Sequence, residues 1–239
     1  MATLQDCCFK KFNHDGAYNG TYQKIAGLDS YVIGDASEKV IVILTDVFGY
    51  KLNNIRLIAD DLNKLTNIQV VIPDILKGDA VESLAKFNRE EWFGKHHPGI
   101  TSPIVNTFLT TLRKDQKDLK QVFGIGYCFG AKFVVENLGK DGLLDVGAVA
   151  HPSMLTVEDI GKIVNPILIS TGENDQAFNP ELRTQTIEKL SELAEVRWQV
   201  DIFKGATHGY AVKGDLTNPL IKYAKEKTLL DQAYWFKQF

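Results

Sequence analysis

Cys128, Asp175 and His208 carry the side chains that nucleophilic catalysis needs, and they occur in that order along the chain. Cys128 is the central residue of Gly126-Tyr127-Cys128-Phe129-Gly130, a G-x-S-x-G nucleophile elbow in which cysteine replaces serine. A thiol near its ordinary pKa is mostly protonated at neutral pH, so the sequence must also supply a group that takes this proton. The pattern predicts covalent catalysis in which Asp175 orients His208, and His208 exchanges protons with Cys128.

The first two assignments have alternatives. A free cysteine is usually a buried structural residue, and a G-x-C-x-G match can arise by chance in a chain with 19 glycines. Asp175 could be a turn or capping residue, in which case Glu173 or Asp201 would supply the acid.

His208 is the histidine that best fits the order, because it follows a strand in a bend flanked by Gly205 and Gly209. An ordinary loop histidine is the alternative. The competing histidines are His96, His97 and His151. The last of these lies too close behind the elbow helix, which favours packing or pocket lining.

The residues around Cys128 predict the strand and the helix that an elbow needs. Residues 121–125 form a short apolar strand, and residues 131–138 form a helix that a glycine closes. Gly126 and Gly130 are required because a side chain at either position would collide with a neighbouring strand or helix. Cys128 is then expected in a strained conformation, with a helix N-terminus behind the sulfur that favours a thiolate or an oxyanion.

The rest of the chain alternates strands with helices, which predicts one α/β domain over residues 1–239 with a mostly parallel, doubly wound sheet. In such sheets the active residues lie in loops beyond the carboxyl ends of the strands. An irregular stretch over 77–98 could form a flap over the site. A hairpin is predicted at 21–25 and 30–33, and further strands at 39–44, 69–72, 145–150, 166–170 and 196–203. Further helices are predicted at 54–65, 181–193 and 219–236. One more helix is predicted to have its cap at 101–102 and Pro103 in its first turn, and to end at 112.

Composition and charge limit the classes of partner. The chain has 239 residues, 44% of them hydrophobic, and a formal net charge of −3 without a basic stripe, so nucleic acid and anionic membranes are not expected partners. No apolar stretch approaches the ~20 residues that span a bilayer, and the first six residues lack the features of a signal peptide. We expect a cytoplasmic protein, also compatible with a nuclear location, that acts on a small molecule as a monomer or weak homodimer.

Three cysteines do not suggest a disulfide framework, because Cys7 and Cys8 are adjacent and the third is Cys128. Cys7, Cys8 and His14 could be considered as metal ligands, but they lack the spacing of a zinc site. We therefore expect no metal and no cofactor.

Five short segments, spread over most of the chain, match the motifs of one enzyme family. They are Leu44-Thr45-Asp46-Val47-Phe48-Gly49, Pro73-Asp74-Ile75, Gly126-Tyr127-Cys128-Phe129-Gly130-Ala131, Gly172-Glu173-Asn174-Asp175 and His208-Gly209-Tyr210. On these segments the chain resembles the dienelactone hydrolase family, especially its fungal cytosolic members. The resemblance implies an α/β-hydrolase fold.

The resemblance also implies two further parts of a site. In the family an acidic residue after the first long parallel strand contacts the thiol and can take its proton when substrate binds. That position is Asp46 here, where better-known members carry glutamate, although Asp46 could simply cap the loop. The backbone N–H groups of Val47 and Phe129 would stabilise the oxyanion of the tetrahedral intermediate.

Substrate recognition departs from the family pattern. Bacterial members hold the carboxylate of dienelactone with arginines, one of them four positions beyond the catalytic histidine; this chain has Val212 there, followed by Lys213. A neutral residue cannot clamp a carboxylate, and lysine lacks the bidentate geometry of arginine. Arg89 could supply a cation or be an exposed helix residue. The aromatic candidates for an apolar pocket, each of which could be a core residue instead, are Phe48, Trp92, Phe93 and Tyr210.

The sequence thus predicts a cysteine-dependent hydrolase of small esters or lactones that works through a thioester acyl-enzyme. The alternative is a non-catalytic ligand-binding or redox-responsive protein that uses Cys128 as a sensor thiol.

Overall fold

A computed structural model describes residues 14–82 and 87–239, and these residues form a mostly parallel sheet with helices on both faces. The sheet order is β1-β2-β4-β3-β5-β6-β7-β8. β2 pairs antiparallel with both of its neighbours, β1 and β4, and all the other neighbouring strands pair in parallel. The predicted α/β fold class is therefore confirmed. The strands are β1 Thr21–Ile25, β2 Leu28–Ile33, β3 Lys39–Leu44, β4 Gln69–Pro73, β5 Gln121–Tyr127, β6 Val146–Ala150, β7 Ile167–Asn174 and β8 Trp198–Thr207.

The helices cover the two faces of this sheet. In chain order they are α1 Asn53–Thr66, α2 Arg89–His96, α3 Pro98–Asp115, α4 Phe129–Glu136, α5 Val157–Gly161, α6 Pro180–Ser191, α7 Tyr210–Lys213 and α8 Pro219–Phe236.

Apolar residues of the central strands point to both helical layers. In β3, Val40, Val42 and Leu44 pack in the layer that contains α3 and α4. Ile41 and Ile43 pack in the opposite layer, against α1 and α8. Successive side chains of a strand point to opposite faces, so an unbroken apolar run is what a strand buried on both sides requires.

The hairpin differs slightly from its prediction. Its turn is Ala26-Gly27, with φ of 47° and 86°, so β2 begins at Leu28. Two consecutive residues with positive φ match the type I′ turn, whose twist suits a two-residue hairpin.

The predicted start of α3 was wrong. The helix begins at Pro98, whose fixed φ and missing N–H suit a first position, and Pro103 lies inside the helix. Pro103 removes one intrahelical bond, but Val105, Phe108 and Leu109 are buried in the core and hold the helix together. The stretch predicted as irregular, 77–98, also contains α2.

Two strands reach further than predicted, and this changes where the loops begin. β7 extends to Asn174 and β8 to Thr207, so Asp175 and His208 are the first residues after their strands. The short helices α5 and α7 were not predicted. Cys7 and Cys8 lie outside the described residues, and within the described ranges no helix is long and apolar enough to cross a membrane.

Candidate active site

Cys128 lies on a sharp turn between β5 and α4. Its backbone has φ 51° and ψ −108°, a conformation that costs energy for any residue other than glycine. A Cβ on Gly126 would lie 2.5 Å from Ala131 Cα, and one on Gly130 would lie 2.0 Å from the Leu44 carbonyl oxygen. Both glycines of the pentapeptide are therefore needed so that the helix and strand β3 can approach the turn.

Cys128, His208 and Asp175 form one continuous line of contacts. His208 Nε2 lies 3.1 Å from Cys128 Sγ, and His208 Nδ1 lies 2.9 Å from both carboxylate oxygens of Asp175. Asp175 Oδ1 also accepts from the N–H groups of Ala177 and Phe178 at 2.9 and 3.2 Å, which fixes the carboxylate. All three side chains are buried.

The surroundings of His208 favour its protonated form. Burial opposes the charge on the ring, but the negative charge at Cys128 and the hydrogen bonds to Asp175 and Cys128 outweigh it and raise the pKa of His208 well above its ordinary value. The imidazole can therefore hold a proton next to the sulfur, with Nδ1–H donating to Asp175.

The other candidate acids have different partners. Glu173 Oε2 accepts from the Gly205 N–H at 3.0 Å, where β8 bends with φ of 74°. Asp201 accepts from the side chain of Gln199. The structure thus brings Asp175, rather than either alternative, to His208.

Helix α7, which follows His208, is held by side chains from three other parts of the chain. Gly209 has φ of 83° and starts the helix immediately after the histidine. Three carbonyls at its C-terminal end accept hydrogen bonds, from Lys225 Nζ to Ala211 at 2.6 Å, Asn54 Nδ2 to Val212 at 2.9 Å and His14 Nε2 to Gly214 at 3.0 Å. Burial lowers the pKa of Lys225 to about 8. The segment that directly follows His208 is therefore anchored by three hydrogen bonds.

Asp46 is a buried carboxyl just beyond the end of β3. Its Oδ1 accepts from the Phe48 N–H at 2.9 Å, so the loop-capping interaction considered from the sequence exists. Burial, and next the negative charge at Cys128, raise its pKa from 3.8 to about 7, whereas Lys213 and His208 act in the opposite direction. Asp46 is therefore also electrostatically coupled to the sulfur and can exchange a proton near neutral pH.

This pKa predicts how Asp46 affects stability. The unfolded carboxyl loses its proton near pH 3.8, while the folded one keeps it to about pH 7, so the contribution to the free energy of unfolding is full below pH 3.8 and is lost as the pH rises through 7. Asp46→Asn removes this loss. We expect chemical denaturation to show similar stability for both proteins at acidic pH, and a variant more stable than wild type by up to about 4 kcal/mol at pH 8.

Asp35→Asn, in the exposed loop between β2 and β3, is the matched control. It is expected to change the free energy of unfolding by less than about 0.5 kcal/mol at either pH. A pH-independent difference for Asp46→Asn would show that the pKa of this carboxyl is the same in the folded and the unfolded protein, which would contradict the prediction.

The N–H groups of Val47 and Phe129 are the predicted donors to the oxyanion. Phe129 is the first residue of α4, and Val47 follows Asp46 in the loop after β3. In the described part of the chain neither N–H donates to an acceptor. Both are therefore free to donate to an oxygen that develops negative charge.

Phe48 and Lys213 lie together in a cavity of about 420 Å³. Lys213 Nζ lies 3.8 Å from the centre of the Phe48 ring, a cation–π contact. The cavity is also lined by Tyr50, Lys51, Leu52 and Asp74. Two of the predicted substrate-binding side chains thus share one concave surface.

Trp92 contacts the residue after the nucleophile. Its ring lies 5.3 Å from that of Phe129, and its Nε1–H donates to the Asp79 carbonyl at 2.9 Å. It lines a cavity of about 570 Å³ beside α2 and also packs on Phe93. Arg89, the first residue of α2, is exposed and lies 5.7 Å from the Phe93 ring, which fits the exposed helix arginine considered as its alternative.

Tyr210 lies at the floor of a cavity of about 230 Å³ that includes His208 and Lys213. Its side chain is only 2% exposed, and its hydroxyl lies 2.7 Å from Thr228 Oγ1 on α8. The ring therefore supports the floor of the cavity and uses its hydroxyl within the core, instead of offering it to a ligand.

The remaining histidines occupy three different environments. His96 Nε2 lies 2.9 Å from Asp79 Oδ2 and its ring packs on Trp92, while His97 precedes the first residue of α3 and makes no side-chain capping bond. His151 is fully buried, and its ring centre lies 5.2 Å from that of His208. The packing position expected for His151 is therefore next to the candidate histidine itself.

One residue that the sequence interpretation missed, Ser153, lies in the loop after β6. Ser153 Oγ lies 3.8 Å from Cys128 Sγ. Its position just beyond a strand end was the available signal, because active residues of such sheets lie in loops beyond the carboxyl ends of the strands. Among residues 14–82 and 87–239, no group of three or more His, Cys, Asp or Glu side chains is arranged to hold a metal ion.

Comparison with known proteins gives consistent matches. A model of the dienelactone hydrolase family matches residues 28–239. Hydrolase pyvD from Aspergillus violaceofuscus is 34% identical over 238 residues, covering 98% of this chain and 96% of that protein. Dienlactone hydrolase 1 from Gibberella moniliformis is 30% identical over 242 residues, covering 96% and 91%.

A solved structure shares the fold at lower identity. The crystal structure of a presumed dienelactone hydrolase from Klebsiella pneumoniae superposes with a TM-score of 0.75 at 13% identity, covering 94% of this chain and all of that one. This likeness concerns the arrangement of strands and helices.

Proposed function

The chain belongs to the dienelactone hydrolase family, and on that basis we propose that it hydrolyses small carboxylic esters or lactones with Cys128 as nucleophile. The family makes it a hydrolase; the nucleophile and the substrate class are our proposal. The observation that carries it is the line from Cys128 Sγ through His208 to Asp175, with contacts of 3.1 and 2.9 Å.

Acylation begins with attack of the Cys128 thiolate on the carbonyl carbon of the substrate. The carbonyl oxygen becomes an oxyanion that accepts from the N–H groups of Val47 and Phe129. The carbon–oxygen bond to the leaving alcohol then breaks, and His208 gives its proton to the departing oxygen. In a lactone this oxygen stays attached to the acyl group.

Deacylation uses the same groups in reverse. His208, now neutral, accepts a proton from a water molecule that attacks the thioester carbonyl, and the oxyanion again accepts from Val47 and Phe129. When the carbon–sulfur bond breaks, its electron pair returns to Cys128, and the carboxylic acid is released. Asp175 keeps Nδ1–H of His208 bonded throughout, so Nε2 faces the reaction.

Asp46 gives the site a second proton acceptor. Its pKa of about 7 means that both of its protonation states are populated at neutral pH. We propose that Asp46 takes or returns the thiol proton as bound substrate changes the surroundings of the sulfur.

Two observations argue against a substrate whose carboxylate is held by an arginine clamp. Val212, at the position where bacterial relatives were noted to carry arginine, is fully buried. Lys213 lies over the ring of Phe48 instead of standing alone. The lysine ammonium can donate a hydrogen bond to one anionic or carbonyl oxygen, but it lacks the bidentate geometry of arginine. Dienelactone itself is therefore not part of the proposed substrate class.

The proposal is tested by intact mass spectrometry with a panel of aryl esters and lactones. We expect wild-type protein to hydrolyse members of the panel. In His208→Ala, which lacks the group that activates water, we expect the added mass of one acyl group. The matched control Cys128→Ala should show no adduct. Absence of both hydrolysis and adducts with every substrate, together with ready oxidation of Cys128, would favour the sensor alternative.

A further inference from the structure

The turn that follows β6, residues 151–154, is attached directly to the candidate nucleophile. The Cys128 N–H donates to the Ala150 carbonyl at 3.2 Å, and the Ser153 N–H donates to the Cys128 carbonyl at 3.1 Å. Two backbone hydrogen bonds therefore fix the 151–154 turn relative to the sulfur.

Ser153 brings a hydroxyl to the reacting atom. Its Oγ lies 3.8 Å from Cys128 Sγ, within the range of a hydrogen bond to sulfur, and the residue is 5% exposed. A protonated His208 ring favours the thiolate form of Cys128, and a thiolate has no proton to donate and acts only as an acceptor. The Ser153 O–H is then the donor.

The 151–154 turn has a conformation that packing must maintain. His151 and Met154 have positive φ, of 39° and 59°, and Pro152 restricts the backbone between them. The His151 ring is fully buried, at 5.2 Å from the His208 ring and 5.7 Å from that of Tyr210. One short turn thus contacts both Cys128 and His208.

We propose that Ser153 is a further catalytic residue, whose hydroxyl donates a hydrogen bond to the Cys128 thiolate. This inference rests on the proposed function and deepens it. During deacylation the carbon–sulfur bond breaks and its electron pair moves to the sulfur, while His208 already holds the proton taken from water. The Ser153 O–H stabilises the charge that forms on the leaving sulfur, and it does the same for the Cys128 thiolate whenever that form is present in the free enzyme.

The first test measures the thiolate without any substrate. The rate of iodoacetamide alkylation of Cys128 is followed against pH in wild type and in Ser153→Ala, with Ser153→Gly as a second deletion if the alanine variant does not fold. The sulfur faces His208 and Asp46, and His208 faces Asp175 and His151, so the midpoint belongs to this coupled set and is compared between variants. We expect the midpoint to rise by about 0.5 to 1 pH unit when the hydroxyl is lost.

Two controls separate this effect from a loss of structure. Ser153→Thr keeps the hydroxyl and should restore the wild-type midpoint. Ser170→Ala removes another fully buried hydroxyl, on β7, and should leave the midpoint unchanged. Equal midpoints for wild type, Ser153→Ala and Ser153→Gly would overturn the proposal.

The second test uses turnover of an activated aryl ester. We expect Ser153→Ala to lower kcat about tenfold and to increase the steady-state fraction of thioester seen by intact mass, because sulfur leaves less easily. A lower kcat without thioester accumulation would contradict a role in departure of the sulfur. If wild type hydrolyses no ester or lactone, the proposed function fails, whereas the alkylation comparison still decides whether Ser153 stabilises the thiolate.

Discussion

Replacement of Cys128 by alanine is expected to lower kcat for an activated ester by about 10⁴-fold or more. The sulfur is the atom that contacts His208 Nε2, and no other described side chain occupies the elbow between β5 and α4. Without it, the imidazole and the two N–H groups could still act on water, which leaves a small residual rate. Steady-state kinetics at several pH values measure the loss.

Cys128→Ser is the matched variant, since it keeps the size of the side chain at a backbone position with φ of 51°. Its hydroxyl can be deprotonated only with help from His208, so we expect a rate between those of the wild type and the alanine variant. Thermal unfolding should show that both variants fold. An alanine variant that keeps more than about a hundredth of the wild-type kcat would exclude Cys128 as the nucleophile.

Asp175→Asn is expected to reduce kcat by a comparable factor, about 10⁴-fold. In the wild-type protein, Nδ1 of His208 donates to the Asp175 carboxylate, which itself accepts from two backbone N–H groups. An amide in the same place cannot stabilise an imidazolium, and it can turn its NH₂ group toward Nδ1 and favour the wrong tautomer. The measurement is kcat together with the pH dependence of kcat/KM, whose limb from His208 should move to lower pH.

The alternative acids provide the controls for this substitution. Glu173→Gln keeps an oxygen that can accept from Gly205, and Asp201→Asn changes a carboxylate whose partner is Gln199. Each should retain kcat within about threefold of wild type, since neither contacts His208. If Glu173→Gln were as damaging as Asp175→Asn, the assignment of the acid would be wrong.

The chain order and the strand ends were sufficient to predict much of the fold and to select Cys128, Asp175 and His208. Long apolar strands such as β3 have few alternatives, because only a sheet covered on both faces buries every residue of such a run. Local signals were weaker at helix ends. Pro103 was predicted in a first turn, but burial of α3 outweighs one missing backbone bond.

Features that depend on distant contacts could not be predicted. The anchoring of α7 requires His14, Asn54 and Lys225, which are far apart in the sequence. Ser153 follows a strand end, but its contact with the sulfur becomes apparent only when the 151–154 turn is placed beside Cys128. The raised pKa of Asp46 likewise arises from burial and from the nearby charge at Cys128, neither of which a motif records.

The sheet order has a consequence for how the protein loses activity. Cys128 follows β5 near the middle of the sheet, whereas His208 follows β8, the last strand of the described sheet. Strands at a sheet margin open by local fluctuations that cost less than global unfolding. Amide exchange in β8 and inactivation by denaturant should therefore proceed together, ahead of exchange in β3 and β5. Activity is then lost when the strand at the sheet margin detaches, before the whole fold unfolds.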